Sequence, residues 1–285
     1  MASMLSQREQ GEVDWANETG RKPVVFVHGL WLLPASWNRW RGVFEENGYT
    51  TLAPDWPDNL DTAGEPHQHL EVFAHKGVQK IHDHCADVIR SLKTAPSIIG
   101  HSFGGLIAQQ LAGDGLASVS VAIDAAPFRG VPPLPFSPLK TAFSIVENAG
   151  DGQLSVGLSF EQFRFAFANA VGESEAEALY QAFSVPGVCR PLFQAATTNI
   201  DPWTEARVDS MTPKRGPLLI ISGERDNTVP SAISNAAYKL QKRNVAITEI
   251  REIPNRGHSL TIDSGWREVA EIALAFVKRH DLATR

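Results

Sequence analysis

The sequence predicts one α/β domain, a mostly parallel sheet flanked by helices, with a helical cap inserted between two of its strands. At 285 residues, of which 43% are hydrophobic and 20% charged, the chain can bury one large core plus a modest insertion. Short apolar runs alternate with helical patterns, which is typical of parallel strands joined by helices. A proline-dense segment at residues 128–138 interrupts this alternation, and the strand pattern returns near residue 217.

Six apolar runs have the length and composition of buried strands. They are residues 24–27, 49–53, 97–99, 119–123, 217–222 and 248–253. Three further segments space their apolar residues like amphipathic helices, at 78–92, 103–111 and 262–278. The residues before Val24 contain no clear strand, so we expect about six to eight strands in the sheet, with six favoured.

The inserted segment begins with FRGVPPLPFSP, which is too rich in proline for a helix or a central strand. From there to about Met211 the pattern is helical and rich in phenylalanine, with no convincing strand. We therefore predict a helical cap at residues 128–210, inserted into a core domain made of residues 1–127 and 211–285.

Composition argues against several classes of partner. The net charge of −6 and the lack of a long basic run give no indication of a nucleic-acid or anionic-membrane partner. The N-terminal residues lack the layout of a secretory signal, and no apolar run approaches the ~18 residues of a membrane-spanning helix. We therefore expect a cytoplasmic protein. Cys85 and Cys189 lack the spacing of a metal or redox site and are predicted to be buried thiols.

A serine between glycines follows the third predicted strand, in IIGHSFGG at residues 98–105. A strand, the pattern Gly-x-Ser-x-Gly and then a helix form the context of a nucleophile elbow, a strained turn that lifts the serine hydroxyl clear of the sheet. The residues two positions before and after the serine must lack bulk, because they pass against the neighbouring strand and helix. Gly100 and Gly104 meet that requirement, so Ser102 is the predicted nucleophile.

A serine hydroxyl needs a base to take its proton and an acid to orient that base. Asp226, in GERDNTVP, follows the strand at 217–222, and His258, in NRGHS, follows the last strand. Since the carboxyl ends of parallel strands share one edge of the sheet, we expect both side chains near Ser102. Asp124, directly after the strand at 119–123, is the alternative acid.

The ordered motifs HG (residues 28–29), GHSFGG, GERDNTVP and GHS resemble those of α/β-hydrolase-fold enzymes, over nearly all of the chain from Val24 onward. The resemblance implies a catalytic triad in the family's chain order, with Ser102 as nucleophile, Asp226 as acid and His258 as base. Chemistry of this kind needs no metal and no organic cofactor.

The same resemblance implies an oxyanion hole made of two backbone N–H groups. One is that of Phe103, at the start of the helix after the nucleophile, where the helix dipole also favours negative charge. The other is expected from the loop HGLW after the first predicted strand, and we assign it to Leu30 rather than Trp31.

Other polar residues have simpler interpretations. His28 is expected to brace the oxyanion loop, His101 to fill space beside the elbow, and Asp55 to lie in a turn. A group of five histidines lacks the spacing of a metal site and is predicted to lie on a solvated surface. These are His67, His69, His75, His82 and His84.

Aromatic residues provide candidates for a substrate pocket. The stretch SFEQFRFAFANAV places Phe160, Phe163 and Phe167 on one helix face, which by default packs within the cap. Because the cap is expected over the edge of the sheet, we predict Phe163 and Phe167 as pocket residues, together with Trp31 and Trp203.

The sequence thus predicts a serine hydrolase that cleaves small-molecule carboxylic esters through an acyl-enzyme on Ser102. Dehalogenases and epoxide hydrolases of this fold have an aspartate at that position, and HGLW differs from the HGGG of hormone-sensitive-lipase-like esterases. The same triad would support lactone hydrolysis, carbon–carbon bond cleavage or cofactor-free perhydrolase and haloperoxidase chemistry. A ligand receptor without activity and an interfacial lipase are further alternatives. The oligomeric state is not indicated.

Overall fold

Six parallel strands form the central sheet of the computed structural model, which describes residues 5–57, 77–132, 155–188 and 190–281. They are β1 (Pro23–Val27), β2 (Thr50–Leu52), β3 (Ser97–His101), β4 (Val119–Ile123), β7 (Leu218–Gly223) and β8 (Thr248–Ile253), and the short strands β5 (Ser155–Val156) and β6 (Gly187–Val188) pair separately. The order across the sheet is β2-β1-β3-β4-β7-β8. The predicted fold class is confirmed, and the six predicted strands are present with shifts of at most two residues at their ends.

Helices cover both faces of this sheet. The helices of the described residues, of which α5 to α7 belong to the inserted segment, are α1 (Gln7–Thr19), α2 (Asn38–Glu46), α3 (Val78–Arg90), α4 (Phe103–Gly113), α5 (Phe160–Ala166), α6 (Glu173–Phe183), α7 (Arg190–Thr197), α8 (Ser231–Gln241) and α9 (Trp266–Asp281), with a 3₁₀ turn at Pro34–Trp37. Within the described ranges, no helix combines the length and the apolar character needed to cross a bilayer.

The central strands are buried on both faces, as expected for a sheet between two helical layers. Along β1 the side chains of Val24 and Phe26 join one hydrophobic cluster, while those of Val25 and Val27 join the other. This alternation follows from the two-residue period of a strand. A shift of one residue in the pairing of β1 with its neighbours would exchange the two sets, so the packing on each face fixes the register.

Aromatic rings dominate the face covered by α2 and α9. The Phe26 ring lies 5.1 Å from that of Trp37 and 5.4 Å from that of Phe44, measured between ring centroids. Trp40 is fully buried beside them, and its indole N–H donates to Thr261 O at 2.9 Å. Apolar residues of α9, among them Val269 and Phe276, complete this cluster.

The other face is covered by α1, α3, α4 and α8. The predicted helix at 78–92 is confirmed as α3, and its apolar stripe of Val78, Ile81, Cys85, Val88 and Ile89 is buried. Cys85 is a free, buried thiol as predicted, and burial raises its pKa. Cys189 lies outside the described residues.

The inserted segment enters and leaves between β4 and β7, which are adjacent in the sheet and pair in parallel. Its described parts contain α5, α6 and α7, in agreement with the predicted helical character. The expectation that it holds no strand was wrong, because β5 and β6 form a short antiparallel pair. Two-residue strands carry too little periodicity to be detected in a sequence.

The predicted solvated surface for the histidines was wrong for the two that the structure describes. His84 is buried, and its Nε2 lies 2.7 Å from Glu9 Oε1 on α1. His82 is 8% exposed, with Asp114 Oδ2 2.9 Å from its Nε2. His84 faces α1 and His82 faces the end of α4, because both lie on the packed side of α3. His67, His69 and His75 are outside the described residues.

Glu9 gathers four donors at the start of α1. Its carboxylate accepts from Ser6 N at 2.9 Å, from Ser6 Oγ at 2.8 Å and from Asp55 N at 3.1 Å, besides His84 Nε2. Burial alone would raise the pKa of Glu9, but the hydrogen bonds and the charge of His84 lower it to about 2. This carboxylate joins α1, α3 and the loop after β2.

We predict that Glu9→Gln lowers the free energy of unfolding by about 3 kcal/mol at pH 7, because the single oxygen of an amide cannot accept from all four donors that contact the buried carboxylate. The folded pKa of about 2 is below the ordinary 4.5, so the stabilisation is complete above about pH 4.5 and is lost as the pH falls towards 2. Urea unfolding at several pH values would measure this. The exposed Glu18 on the same helix provides the control Glu18→Gln, and equal small effects of both substitutions would contradict the prediction.

Candidate active site

Loops at the carboxyl edge of the sheet carry the predicted triad residues, the alternative acid and one of the two residues predicted for the oxyanion hole. Because the six strands are parallel, the loops after β1, β3, β4, β7 and β8 all open at this edge. They bring in Leu30, Ser102, Asp124, Asp226 and His258, respectively.

Ser102 lies in a sharp turn between β3 and α4, with φ 57° and ψ −120°. This conformation is rare for a residue with a side chain and costs about 1–3 kcal/mol. The turn fits because its flanking residues are glycines. A Cβ on Gly100 would lie 2.0 Å from Gly104 O, and one on Gly104 would lie 2.0 Å from Val27 O. Close contacts on both sides of Ser102 therefore require glycine at positions 100 and 104, which is the Gly-x-Ser-x-Gly spacing that predicted the elbow.

Two hydrogen bonds hold the strained residue in place. Ser102 N donates to Ile123 O at 2.9 Å, and Ser102 O accepts from Ala126 N at 3.0 Å. Gly29 approaches from the loop after β1, where a Cβ would lie 2.9 Å from Ser102 Cβ. The loop after β1 thus reaches the nucleophile only because residue 29 has no side chain.

The structure brings Ser102, His258 and Asp226 into one hydrogen-bonded row. His258 Nε2 lies 3.0 Å from Ser102 Oγ, and His258 Nδ1 lies 2.6 Å from Asp226 Oδ2. Asp226 Oδ1 also accepts from the backbone N–H groups of Thr228 and Val229, at 2.7 and 2.8 Å. His258 is 0% exposed and Ser102 5% exposed, so the row is shielded from bulk water.

Burial disfavours the charged form of both titratable groups in this row. It lowers the pKa of His258 to about 3 and raises the pKa of Asp226 to about 7, although hydrogen bonds from Val229 and Thr228 oppose the second shift. A neutral imidazole that donates through Nδ1 presents the lone pair of Nε2 to the serine hydroxyl. The row has the geometry needed to move a proton from Ser102 to His258.

Two N–H groups beside Ser102 are free for an incoming oxygen atom. Within the described part of the chain, neither Leu30 N nor Phe103 N donates to a protein acceptor. Phe103 is the first residue of α4, where backbone N–H groups have no partner in the helix. Trp31 follows Leu30 with φ 62°, a left-handed conformation, and its carbonyl oxygen accepts from Val185 N at 3.1 Å.

The remaining polar candidates surround the row without joining it. His28 Nδ1 lies 2.9 Å from Gly29 O and its ring stacks on Trp56, consistent with a bracing role in the loop. His101 Nε2 lies 2.9 Å from His258 O, so the His101 ring contacts the backbone carbonyl group of the predicted base. Asp124 is fully buried and accepts from Gly223 N at 2.8 Å.

One group of buried side chains has the types of atom that bind metals. Ligand atoms of His101, Asp124 and His258 lie within 4.8 Å of one another. Both ring nitrogens of His258 already contact Ser102 and Asp226, so a metal would have to displace that row. The arrangement therefore favours a hydrogen-bonded site over a metal site.

The end of α5 is bonded to both loops that carry the acid and the base. The carbonyl groups of its last turn need hydrogen-bond donors from outside the helix, because they have no partner within it. Asn227 Nδ2 donates to Phe165 O at 3.0 Å, Thr228 Oγ1 to Ala166 O at 2.7 Å, and Ser259 N to Phe167 O at 2.9 Å. No local sequence pattern identifies these residues, because their pairing depends on the tertiary position of α5.

Asn169 adds a fourth bond between the inserted segment and this edge, since its Nδ2 donates to Arg225 O at 2.7 Å. Together with the bond from Val185 to Trp31, five hydrogen bonds between described residues join the segment to the loops around Ser102. The segment is thus part of the framework that sets the positions of these loops.

Three of the four predicted pocket residues lie at the site. The Phe167 ring lies 4.8 Å from the His258 ring, edge to face, and 6.2 Å from that of Trp31. Phe163 is fully buried and stacks on Phe167 from behind, so it supports the pocket wall instead of forming its surface.

The prediction for Trp203 was wrong. Its side chain is 84% exposed and lines a separate cleft with His82 and Asp114. Asp114 follows the last turn of α4, whereas Ser102 precedes the first, so the 11-residue helix separates them by about 16 Å.

The fold and this arrangement define a class of protein. The family model described as "Alpha/beta hydrolase family" matches residues 24–272, and the chain belongs to that family. Membership supports a hydrolase activity. A comparison with curated protein sequences found no match.

Solved structures of the same fold are similar over nearly their full length. An extracellular alpha/beta-hydrolase from a Paenibacillus species has a TM-score of 0.63 and 20% identity, covering 90% of this chain and 98% of that one. The monoacylglycerol lipase of Paleococcus ferrophilus also has a TM-score of 0.63 and 20% identity, covering 90% and 94%. A protein from Mycobacterium tuberculosis described as a non-heme bromoperoxidase has a TM-score of 0.65 and 19% identity, covering 90% and 92%. Identities this low support the fold alone.

We predict that Gly104→Ala destabilises the protein by more than about 3 kcal/mol, because the new methyl group would overlap two backbone oxygens, Val27 O at 2.0 Å and His28 O at 2.6 Å. The matched control is Gly42→Ala, inside α2, where no atom lies within 4 Å of the added Cβ. The control should raise stability by about 0.5–1 kcal/mol. Guanidinium unfolding would measure both, and a stable Gly104→Ala variant would contradict the elbow geometry.

Proposed function

We propose that the protein is a serine hydrolase that cleaves carboxylic esters. The observation that carries the proposal is the single imidazole of His258, which lies within hydrogen-bond distance of both Ser102 Oγ and Asp226 Oδ2. Family membership supports a hydrolase, and the free N–H groups of Leu30 and Phe103 support acyl transfer as the type of reaction.

The proposed reaction proceeds in two halves. Ser102 attacks the ester carbonyl while His258 Nε2 takes its proton, and the same proton then passes to the departing alcohol. Water repeats this sequence on the acyl-enzyme and frees the acid. Asp226 holds the Nδ1–H tautomer and stabilises the imidazolium that forms in each half.

Negative charge on the carbonyl oxygen is proposed to be stabilised by the N–H groups of Leu30 and Phe103. The position of Phe103 at the first turn of α4 adds the favourable field of the helix dipole. A donor of this kind is worth about 3 kcal/mol in the transition state, or about two decades in rate.

The substrate class is inferred from the rings beside the reacting atoms. Trp31 and Phe167 form an aromatic corner against His258, which suits an apolar acyl or alcohol group. Because Phe163 stacks directly behind Phe167, the wall is backed by a second ring and favours a compact substituent over a long chain. Lactone hydrolysis, carbon–carbon bond cleavage and peroxyacid formation with hydrogen peroxide are alternative reactions of the same row.

We predict that Ser102→Ala abolishes ester turnover, by at least about 10⁴-fold, with an unchanged melting temperature. The measurement is a p-nitrophenyl ester series from acetate to decanoate on wild type and variant, with the best activity at the short end. Turnover that survives in the variant would mean that the nucleophile lies elsewhere.

A fluorophosphonate probe serves as the control for that experiment. Labelling at Ser102 without ester turnover would exclude esters but keep the nucleophile, and lactones and peroxide would be tested next. No labelling in a folded protein would favour a ligand receptor and would overturn the proposed function.

We also predict that Gly187→Ala lowers kcat about 10- to 100-fold with little change in KM, through displacement of the oxyanion loop. A Cβ on Gly187 would lie 2.9 Å from Leu30 Cδ1 and 3.0 Å from Trp31 Cδ1, and both side chains are buried. The matched control is Gly157→Ala in the same segment, where the nearest atom to the new Cβ is Pro186 Cγ at 3.9 Å. Equal rates for the two variants would contradict the role given to this loop.

A further inference from the structure

Two carboxyl groups lie side by side at the ends of adjacent strands. Asp124 follows β4 and Asp226 follows β7, and the last paired residues of these strands are Ile123 and Ile221. Asp124 is 0% exposed and has φ 41°, a left-handed conformation that is uncommon outside glycine. Its backbone N–H donates to Ile221 O at 2.9 Å, and its Oδ1 accepts from Gly223 N at 2.8 Å. The side chain is therefore fixed towards the loop that carries Asp226.

The second oxygen of Asp124 has an unusual environment. Oδ2 is buried, and no N–H or O–H donor of the described residues reaches it. Its polar neighbour is the Asp226 carboxyl group: interaction between the two groups favours the protonated form of Asp124 and the ionised form of Asp226, and a carboxylate oxygen of Asp124 lies within 4.8 Å of a ring nitrogen of His258, which Asp226 contacts. An ionised carboxylate has no proton to donate, so a hydrogen bond between two carboxyl groups requires that one of them is protonated.

The surrounding donors decide which of the two holds the proton. Asp226 accepts from Thr228 N, Val229 N and His258 Nδ1, which stabilises its ionised form. Asp124 accepts only one N–H from the described residues, that of Gly223. Two ionised carboxylates in contact in a buried site would repel each other strongly, so one proton remains between them.

The other groups around Asp124 do not reverse this preference. Burial and the neighbouring charge of Asp226 raise the pKa of Asp124 well above its ordinary value, while the hydrogen bond from Gly223 and the charge of Arg256 oppose the shift. His101 is neutral, because burial lowers its pKa, and its Nε2 contacts the backbone of His258. His258 is buried as well and its pKa is lowered by desolvation.

We propose that Asp124 is a neutral carboxylic acid that donates a hydrogen bond to the Asp226 carboxylate, so that the acid of the triad is a pair of carboxyl groups sharing one proton. Asp124 is a positioning residue in this arrangement. It favours the ionised form of Asp226 and directs Asp226 Oδ2 at His258 Nδ1, without adding a second negative charge to the site. This inference rests on the proposed roles of Ser102, His258 and Asp226.

The test compares two substitutions that the backbone accepts. Glycine adopts the φ of 41° without strain, and Asp124→Gly removes the donor. Asparagine also tolerates this region, and Asp124→Asn supplies an amide N–H in place of the acid O–H and an amide oxygen for Gly223 N. The matched control is Ser222→Ala, near the end of the adjacent strand β7. It removes a buried hydroxyl that has no hydrogen-bond partner among the described residues.

The readout is the rate at which a fluorophosphonate labels Ser102 between about pH 5 and pH 9, which needs no knowledge of the substrate. In Asp124→Gly the acid limb of the profile of labelling rate against pH should move to higher pH by about one unit. The reason is that the ionised form of Asp226 loses a hydrogen bond. Asp124→Asn should restore most of the rate, to within about fivefold of wild type, and a midpoint close to that of wild type. A merely structural role would lower stability without moving the midpoint.

Loss of rate in Asp124→Asn as severe as in Asp226→Asn would overturn the proposal, because it would show that Asp124 acts as a carboxylate. A second measurement is independent of activity. The infrared difference spectrum of wild type minus Asp124→Asn at about pH 8 should contain the C=O band of a protonated carboxyl group, and its absence would also overturn the proposal. If Ser102 is not labelled at all, the proposed function fails while the infrared band still reports on Asp124.

Discussion

The approach of α4 to the end of β1 is the contact on which the rest of the site depends. Gly104 packs so closely on Val27 O that no side chain fits between them. This proximity forces the chain through the strained conformation at Ser102, and hydrogen bonds from the neighbouring strand loop offset the cost. Every other group is then aligned to one fixed hydroxyl: the N–H groups of Leu30 and Phe103 on one side, and His258 on the other.

The sheet and the row of polar residues were predictable from the sequence for local reasons. Central strands buried on both faces leave continuous apolar runs such as residues 119–123, and the loops at their carboxyl ends must meet at one edge. Once Gly100 and Gly104 identified the turn at Ser102, the order of the remaining strands limited where the acid and base could lie. His258 and Asp226 are where that reasoning placed them.

The features that sequence reasoning missed depend on which distant segments meet. His84 is buried because α1, in a region without a strand pattern, supplies Glu9 as its partner. Trp203 lies far from Ser102 because the end of the inserted segment packs beside the C-terminal part of α4, near Gln110 and Asp114, which no local pattern reveals. The contact between Asp124 and Asp226 is of the same kind, since each aspartate alone looks like an ordinary residue at a strand end.

The hydrogen bonds between the inserted segment and the loops around Ser102 have a consequence for how specificity can change in such a protein. Exchange of the whole segment for that of another hydrolase would remove the carbonyl groups of α5 that hold Asn227, Thr228 and Ser259, along with the pocket wall. New specificity is therefore accessible through replacement of individual side chains such as Phe167, within a retained α5 backbone. For evolution and for engineering alike, the segment is not a module that can be transplanted.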